Sequence, residues 1–188
     1  MDNILYINAC CRADSRTKEL AQYLLSKLYG NIQSVNLYEE NICPLDAQLL
    51  AERDSLLKNG QTDDKLFTFA KQFALADTIV ISAPYWDLMF PSILKVYLEN
   101  ITVCGITFCY SDKGVPQSLC KAKNLYYVTT AGGFIGDNNF GYDYIKALAT
   151  GFFGINNLRF ISAEGLDIYG ADTDKIMYEA KDNIKVMM

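Results

Sequence analysis

Short apolar runs recur along the chain at residues 4–9, 32–37, 78–83, 125–130 and 158–163. Each is rich in Ile, Val, Leu, Thr or Tyr and too short for a typical helix, the pattern of a strand buried on both faces of a parallel sheet. Between the runs the apolar period changes. Ala21, Leu24, Leu25 and Leu28 fall at i, i+3, i+4 and i+7, and the spacing returns at Leu66, Phe69, Ala70 and Phe73. It returns again at Leu94, Tyr97, Leu98 and Ile101, and at Ile145, Leu148, Ala149 and Phe152. Such spacing lays one apolar stripe along a helix. A last segment, with Ile176, Met177, Ala180 and Ile184, fits the rule less cleanly.

Strands alternating with helices predict an α/β fold. We expect a five-stranded parallel sheet in the order 2-1-3-4-5 with helices on both faces, because each right-handed crossover packs its helix back onto the sheet. The switch point between the first and third strands opens a crevice at their carboxyl ends, where such sheets bind ligands. The loops after Ala9, Ala83 and Thr130 are therefore the ones to inspect. Two connections are longer than usual: residues 38–61, with a short helix over 47–57, and residues 104–123. Connections of that length often serve as lids or contact surfaces. No repeat, low-complexity tract or linker divides the chain, and residues 1–188 are expected to form one domain.

The net charge of −5 offers no basic surplus for a phosphate backbone or an anionic membrane, so small molecules are the expected partners, with neither nucleic acid nor membrane. The start Met1-Asp2-Asn3 carries no basic leader, and no apolar stretch is long enough to span a bilayer. Six cysteines, two of them adjacent, suit the reduced thiols of a cytoplasmic protein. Cys104, Cys109 and Cys120 lack the compact spacing of an iron–sulfur site and are expected to be buried small hydrophobes, and no metal site is expected.

There is no histidine, which removes Ser-His-Asp and Cys-His pairs, His-ligated zinc and the imidazole base. What remains is chemistry by carboxylates, lysines or a cofactor that brings its own reactive atoms. A phosphoacceptor on this fold would need an acidic cluster at the strand ends. The first strand closes instead with Asn8-Ala9-Cys10, and the last with Ser162-Ala163-Glu164 and no lysine.

The first loop, Cys10 to Thr17, runs into a helix. A helix start with two hydroxyls and two guanidinium groups suits a terminal phosphate, although Ser15 as a simple cap with solvated arginines explains the same residues. It is neither a Walker loop nor a Gly-rich dinucleotide fingerprint. The second loop, Ala83 to Pro91, gathers Tyr85, Phe90 and the only tryptophan, Trp86; a flat heteroaromatic ring could stack there, and so could a neighbouring core or interface. The third loop, Thr129 to Asp137, holds the pair Gly132-Gly133, which allows either a close ligand or a tight turn.

Taken together, Ser15-Arg16-Thr17, Ser82-Ala83-Pro84-Tyr85-Trp86-Asp87-Leu88 with Pro91-Ser92-Ile93-Leu94-Lys95, Gly105-Ile106-Thr107-Phe108-Cys109-Tyr110 and Thr130-Ala131-Gly132-Gly133 resemble the FMN-dependent NADH-azoreductase and NAD(P)H:quinone oxidoreductase family of flavodoxin-like proteins. The segments occur in the family's order from about residue 3 to residue 164. The resemblance implies that Ser15, Arg16 and Thr17 hold the FMN phosphate. Pro84, Tyr85, Trp86, Asp87 and Leu88, with Thr130, Ala131, Gly132 and Gly133, would frame the isoalloxazine, and Tyr110 would sit over the substrate pocket. It also implies NADH or NADPH as donor, a quinone or azo acceptor, and a homodimer that completes each site. The chain departs from the pattern twice. Asp87 stands where asparagine is common, and an ionised carboxylate cannot donate a hydrogen bond to the ring; a serine usual at the end of the first strand is replaced by Ala9 or Cys10. The alternative function is a flavodoxin-type FMN electron carrier with no nicotinamide site.

Overall fold

The computed structural model describes residues 1–187, leaving Met188 outside them. In chain order the elements are β1 (Asn3–Asn8), α1 (Arg16–Leu25), β2 (Asn31–Asn36), α2 (Ala47–Lys58), a 3-10 turn (Lys65–Phe67), α3 (Thr68–Leu75) and β3 (Thr78–Ser82). They continue with α4 (Ser92–Ile101), β4 (Phe108–Tyr110), β5 (Pro116–Ser118), β6 (Asn124–Thr130), α5 (Phe140–Gly151), β7 (Asn157–Ala163) and α6 (Thr173–Met187). Five strands form one parallel sheet in the order β2-β1-β3-β6-β7, which is the expected 2-1-3-4-5 once the separate pair β4 and β5 is set aside.

Side-chain alternation along these strands builds two cores. Leu5, Ile7, Ile79, Ile81, Leu125 and Tyr127 face one side, where Phe73 of α3, Leu94 and Tyr97 of α4 and Ile145 of α5 cover them. Ile4, Tyr6, Val80, Val128 and Ile161 face the other, under Leu20 and Leu24 of α1 and Met177 and Ile184 of α6. A residue and its chain neighbour thus serve opposite cores, which is why the central strands read as unbroken apolar runs. At the sheet's border β2 is largely exposed, with only Val35 buried. Strand ends differ from expectation by one residue, Leu28 falls in the turn beyond α1, and Phe152 caps α5.

Tyr97 is fully buried, yet its hydroxyl has no partner among the described residues. Burial accordingly raises its pKa and keeps the phenol neutral. An unmade buried hydrogen bond costs about 1–3 kcal/mol, so Tyr97→Phe is expected to raise unfolding stability by about 1 kcal/mol in a urea titration. A lower midpoint would mean that the hydroxyl is satisfied, for instance by an internal water.

The long connection between α4 and β6, in which the sequence pattern predicts no element, carries the β4–β5 hairpin. Its place follows from chain direction. α4 runs antiparallel to β3 and β6 starts at the amino edge of the sheet, so residues 102–123 lie at that edge, opposite the carboxyl-end loops. Lys121 N donates to Ala74 O at 2.9 Å and Lys123 N to Asp77 O at 3.1 Å, and Phe108 packs edge-on against Phe152 at the end of α5. All six cysteines are free. Contrary to expectation, Cys104 is exposed and Cys109 and Cys120 are only part-buried, because hairpin and connection lie over the sheet edge rather than inside a core. No described helix is long and apolar enough to cross a membrane.

Candidate functional site

Main-chain bonds bring the carboxyl-end loops together. Ala9 N donates to Ser82 O at 2.8 Å, Ala83 N to Val128 O and Tyr85 N to Thr130 O at 3.0 Å each, and Ala131 N to Ala163 O at 3.0 Å. These bonds prolong the sheet by one to three residues past the named strand ends and then release the chains around a cavity of about 270 Å³. Ser15, Arg16 and Thr17 line it from the first loop, Pro84, Tyr85 and Trp86 from the second, and Thr130, Ala131 and Gly132 from the third. The crevice at the switch point is thus present where sheet topology expects it.

The first loop rests on a buried polar chain. Tyr6 Oη is 2.9 Å from Ser82 Oγ, Ser82 Oγ donates to Asn8 Oδ1 at 3.0 Å, and Cys10 N donates to the same oxygen at 3.1 Å. Burial pushes the Tyr6 phenol up to about 12, against the lowering effect of its bond to Ser82, so it is neutral at physiological pH. Burial also raises the Cys10 thiol, more than its hydroxyl partners lower it, so this wall of the cavity carries a neutral thiol beside the helix start.

Ser15 is the N-cap of α1, its Oγ accepting from Lys18 N at 3.3 Å. The amides of Arg16 and Thr17, also in the first turn, lack intrahelical acceptors and remain for a ligand. Thr17 is buried, and its Oγ1 lies 2.6 Å from Thr130 Oγ1, tying the first loop to the third. The Arg16 guanidinium is engaged as well: Nη2 meets Asp167 Oδ1 at 2.7 Å and Nη1 donates to Leu166 O at 3.3 Å. The side chains of the Ser15-Arg16-Thr17 triplet are therefore already partnered inside the protein.

The second loop closes with a two-residue turn in which Trp86 N donates to Met89 O at 2.9 Å and Met89 N to Trp86 O at 2.8 Å. Its central residues Asp87 and Leu88 both have positive φ, +49° and +67°. Asp and Asn tolerate that backbone region better than other L residues, whereas Leu88 there is strained by about 1–2 kcal/mol. Asp87 thus meets the same backbone demand as an asparagine. Asp87, Leu88 and Gly133 neighbour lining residues but do not line the cavity, and Tyr110 stands on the hairpin at the far edge, half-exposed beside Phe108.

Sequence reasoning missed a fourth loop. Leu166 and Asp167, after β7, line the cavity because β7 adjoins β6 and Leu166 N and Asp167 N donate to Ala131 O (3.2 Å) and Gly132 O (2.9 Å). The order of strands, which places β7 at the border next to β6, was the signal that pointed to this loop. Cys10, Cys11, Arg12 and Asp14 also line the cavity, from the first loop.

Residues 2–187 match the family described as having a flavodoxin-like fold. The FMN-dependent NADH:quinone oxidoreductase of Clostridium beijerinckii is 34% identical, with 98% of this chain and 97% of that protein covered. The protein of the same name from Lachnoclostridium phytofermentans is 34% identical, with 97% and 96% covered. Among solved structures, the FMN-dependent NADH-azoreductase of Bacillus anthracis in complex with FMN has a TM-score of 0.84 at 22% identity, over 100% of this chain and 97% of that one, a likeness of fold. The family match over residues 2–187, with end-to-end identity at this level, establishes that the chain belongs to the flavodoxin-like family that includes the FMN-dependent NADH:quinone oxidoreductases.

Proposed function

We propose that this protein is an FMN-dependent oxidoreductase that takes hydride from NADH and delivers it to a quinone, azo compound or similar planar acceptor. The observation that carries the reading is a single cavity joining a helix start to two ring-framing loops, in a chain alignable from end to end with FMN-dependent NADH:quinone oxidoreductases. Those relatives bear enzyme names, which favours this reading over an electron carrier.

The residues present fit FMN. The free amides of Arg16 and Thr17, with the Arg12 guanidinium, would hold the phosphate, while Ser15 and Thr17 act through the backbone they fix. Pro84, Tyr85 and Trp86 would frame one side of the ring and Thr130, Ala131 and Gly132 the other, with Asp87, Leu88 and Gly133 shaping the turns that carry them. Gly132, on the cavity wall and without a Cβ, lets a flat ligand approach the main chain there. When bound, FMN supplies the hydride-accepting N5. The protein's share is alignment and exclusion of water, which needs no histidine. One opening would serve donor and acceptor in turn, hence ping-pong kinetics.

Tyr110 lies too far around the fold to serve the cavity of its own chain. We place it over the cavity of a second copy, which makes the active unit a homodimer, each chain acting as one flavodoxin-like domain in the cytoplasm. Free cysteines throughout favour a reducing compartment.

Purified protein is expected to be yellow, to lose that colour on anaerobic addition of NADH, and to regain it when a quinone such as menadione is added. Initial rates with both substrates varied should give parallel double-reciprocal lines. A protein that takes up no FMN on titration would end the proposal.

A further inference from the structure

Asp167 is the one acidic side chain in the cavity that already holds the cationic group next to the helix start. Its Oδ1 lies 2.7 Å from Arg16 Nη2, its amide is anchored to Gly132 O at 2.9 Å, and its carboxylate lies over Gly132, where an added Cβ would collide with Oδ2 and stand 3.1 Å from Cγ. The charged groups lining the cavity are Arg12 and Arg16 against Asp14 and Asp167, so they cancel. A site for a phosphate dianion ordinarily carries a positive surplus, and here an internal carboxylate removes it.

We infer that Asp167 sets how tightly the cavity holds a phosphorylated cofactor, by occupying the Arg16 guanidinium that the ligand's phosphate would otherwise engage. The inference rests on the FMN reading above. It makes the flavin an exchangeable ligand, and it makes Asp167 a specificity residue: its carboxylate opposes the charged phosphate of FMN and is indifferent to uncharged riboflavin. The pair is part-exposed, with Arg16 at 37% and Asp167 at 66% of side-chain accessibility, so it can part without breaching a core.

The test is a fluorescence-quenching titration of flavin-stripped full-length protein with FMN and with riboflavin, comparing wild type with Asp167→Asn. Asparagine keeps the size and the hydrogen-bond acceptor toward Arg16 while removing the charge. The variant should bind FMN about 3- to 10-fold more tightly at low ionic strength, with riboflavin affinity changed less than about twofold. Raising salt to about 1 M, where the screening length falls to about 3 Å, should shrink the FMN gain toward nothing. Arg16→Gln, which leaves the carboxylate uncompensated, should weaken FMN selectively, and adding Asp167→Asn to it should restore most of the loss. Unchanged or weaker FMN binding by Asp167→Asn overturns the inference, as does an equal gain for riboflavin. If wild type binds FMN and Asp167→Asn does not improve on it, this inference alone fails. If wild type binds neither flavin, the functional reading fails with it.

Discussion

Protein carrying Gly132→Val will fold and yet bind FMN at least about 100-fold more weakly than wild type. The position lies on the cavity wall, at the point where the loop after β6 leaves the sheet. Its backbone is not in the left-handed region, so a β-branched residue is sterically admissible there. A new Cβ would collide with Asp167 Oδ2 and crowd Cγ and Cβ of the same exposed side chain at 3.1 and 3.2 Å, so that side chain must turn aside and yield by a few tenths of an ångström. The exposed ion pair with Arg16 contributes about 0–1 kcal/mol, which bounds the loss of fold stability. The rest of the isopropyl group occupies space that the flat ring requires, and overlap of that size can be relieved only by moving the ring off the main chain. Flavin titration alongside urea unfolding separates the two effects. Wild-type FMN affinity in this variant would mean that the ring lies elsewhere.

Thr17→Val should lower unfolding stability by about 1–3 kcal/mol and weaken FMN about tenfold, whereas Thr17→Ser should retain most of both. Valine copies the shape of threonine and lacks its hydroxyl, so Thr130 Oγ1, buried and 2.6 Å from Thr17 Oγ1, loses its partner. That bond is also the side-chain tie between the helix start and the loop after β6, and loosening it lets the two walls of the cavity drift apart. Equilibrium unfolding and flavin titration on the three proteins check it. A variant as stable as wild type would show that a water or another acceptor replaces the missing hydroxyl.

The sheet was legible because its strands are buried on both faces and announce themselves as apolar runs, Ile4 to Ile7 and Ile79 to Ile81 above all. The alternation of strands and helices led to a doubly wound sheet, and the order expected for it carried the crevice with it, since strand order decides which loops meet. Local hydrogen bonding was less visible. Arg16 reads as a free cation beside a helix start, and nothing nearby in sequence warns that Asp167, 151 positions away, holds it. The β4–β5 hairpin escaped notice because Pro116-Gln117-Ser118 carries no strand-like pattern and pairs with only three residues. Tyr110 carried the right residue type in a matching motif, but a motif does not say at which edge of a sheet its segment comes to lie. Capping by Ser15 was foreseen as the plainer alternative, and the hydroxyl does cap.

The bend at Asp87 and Leu88 has a kinetic meaning. Both residues hold left-handed torsions fastened by the paired bonds between Trp86 and Met89, and the turn they make fixes Trp86 in the cavity wall. A wall held by its own backbone hydrogen bonds asks for little rearrangement when a guest arrives, so less of the contact energy is consumed in ordering it. Capture is then governed by how often the guest meets the opening in the right orientation, and discrimination between guests shows in how long each one stays.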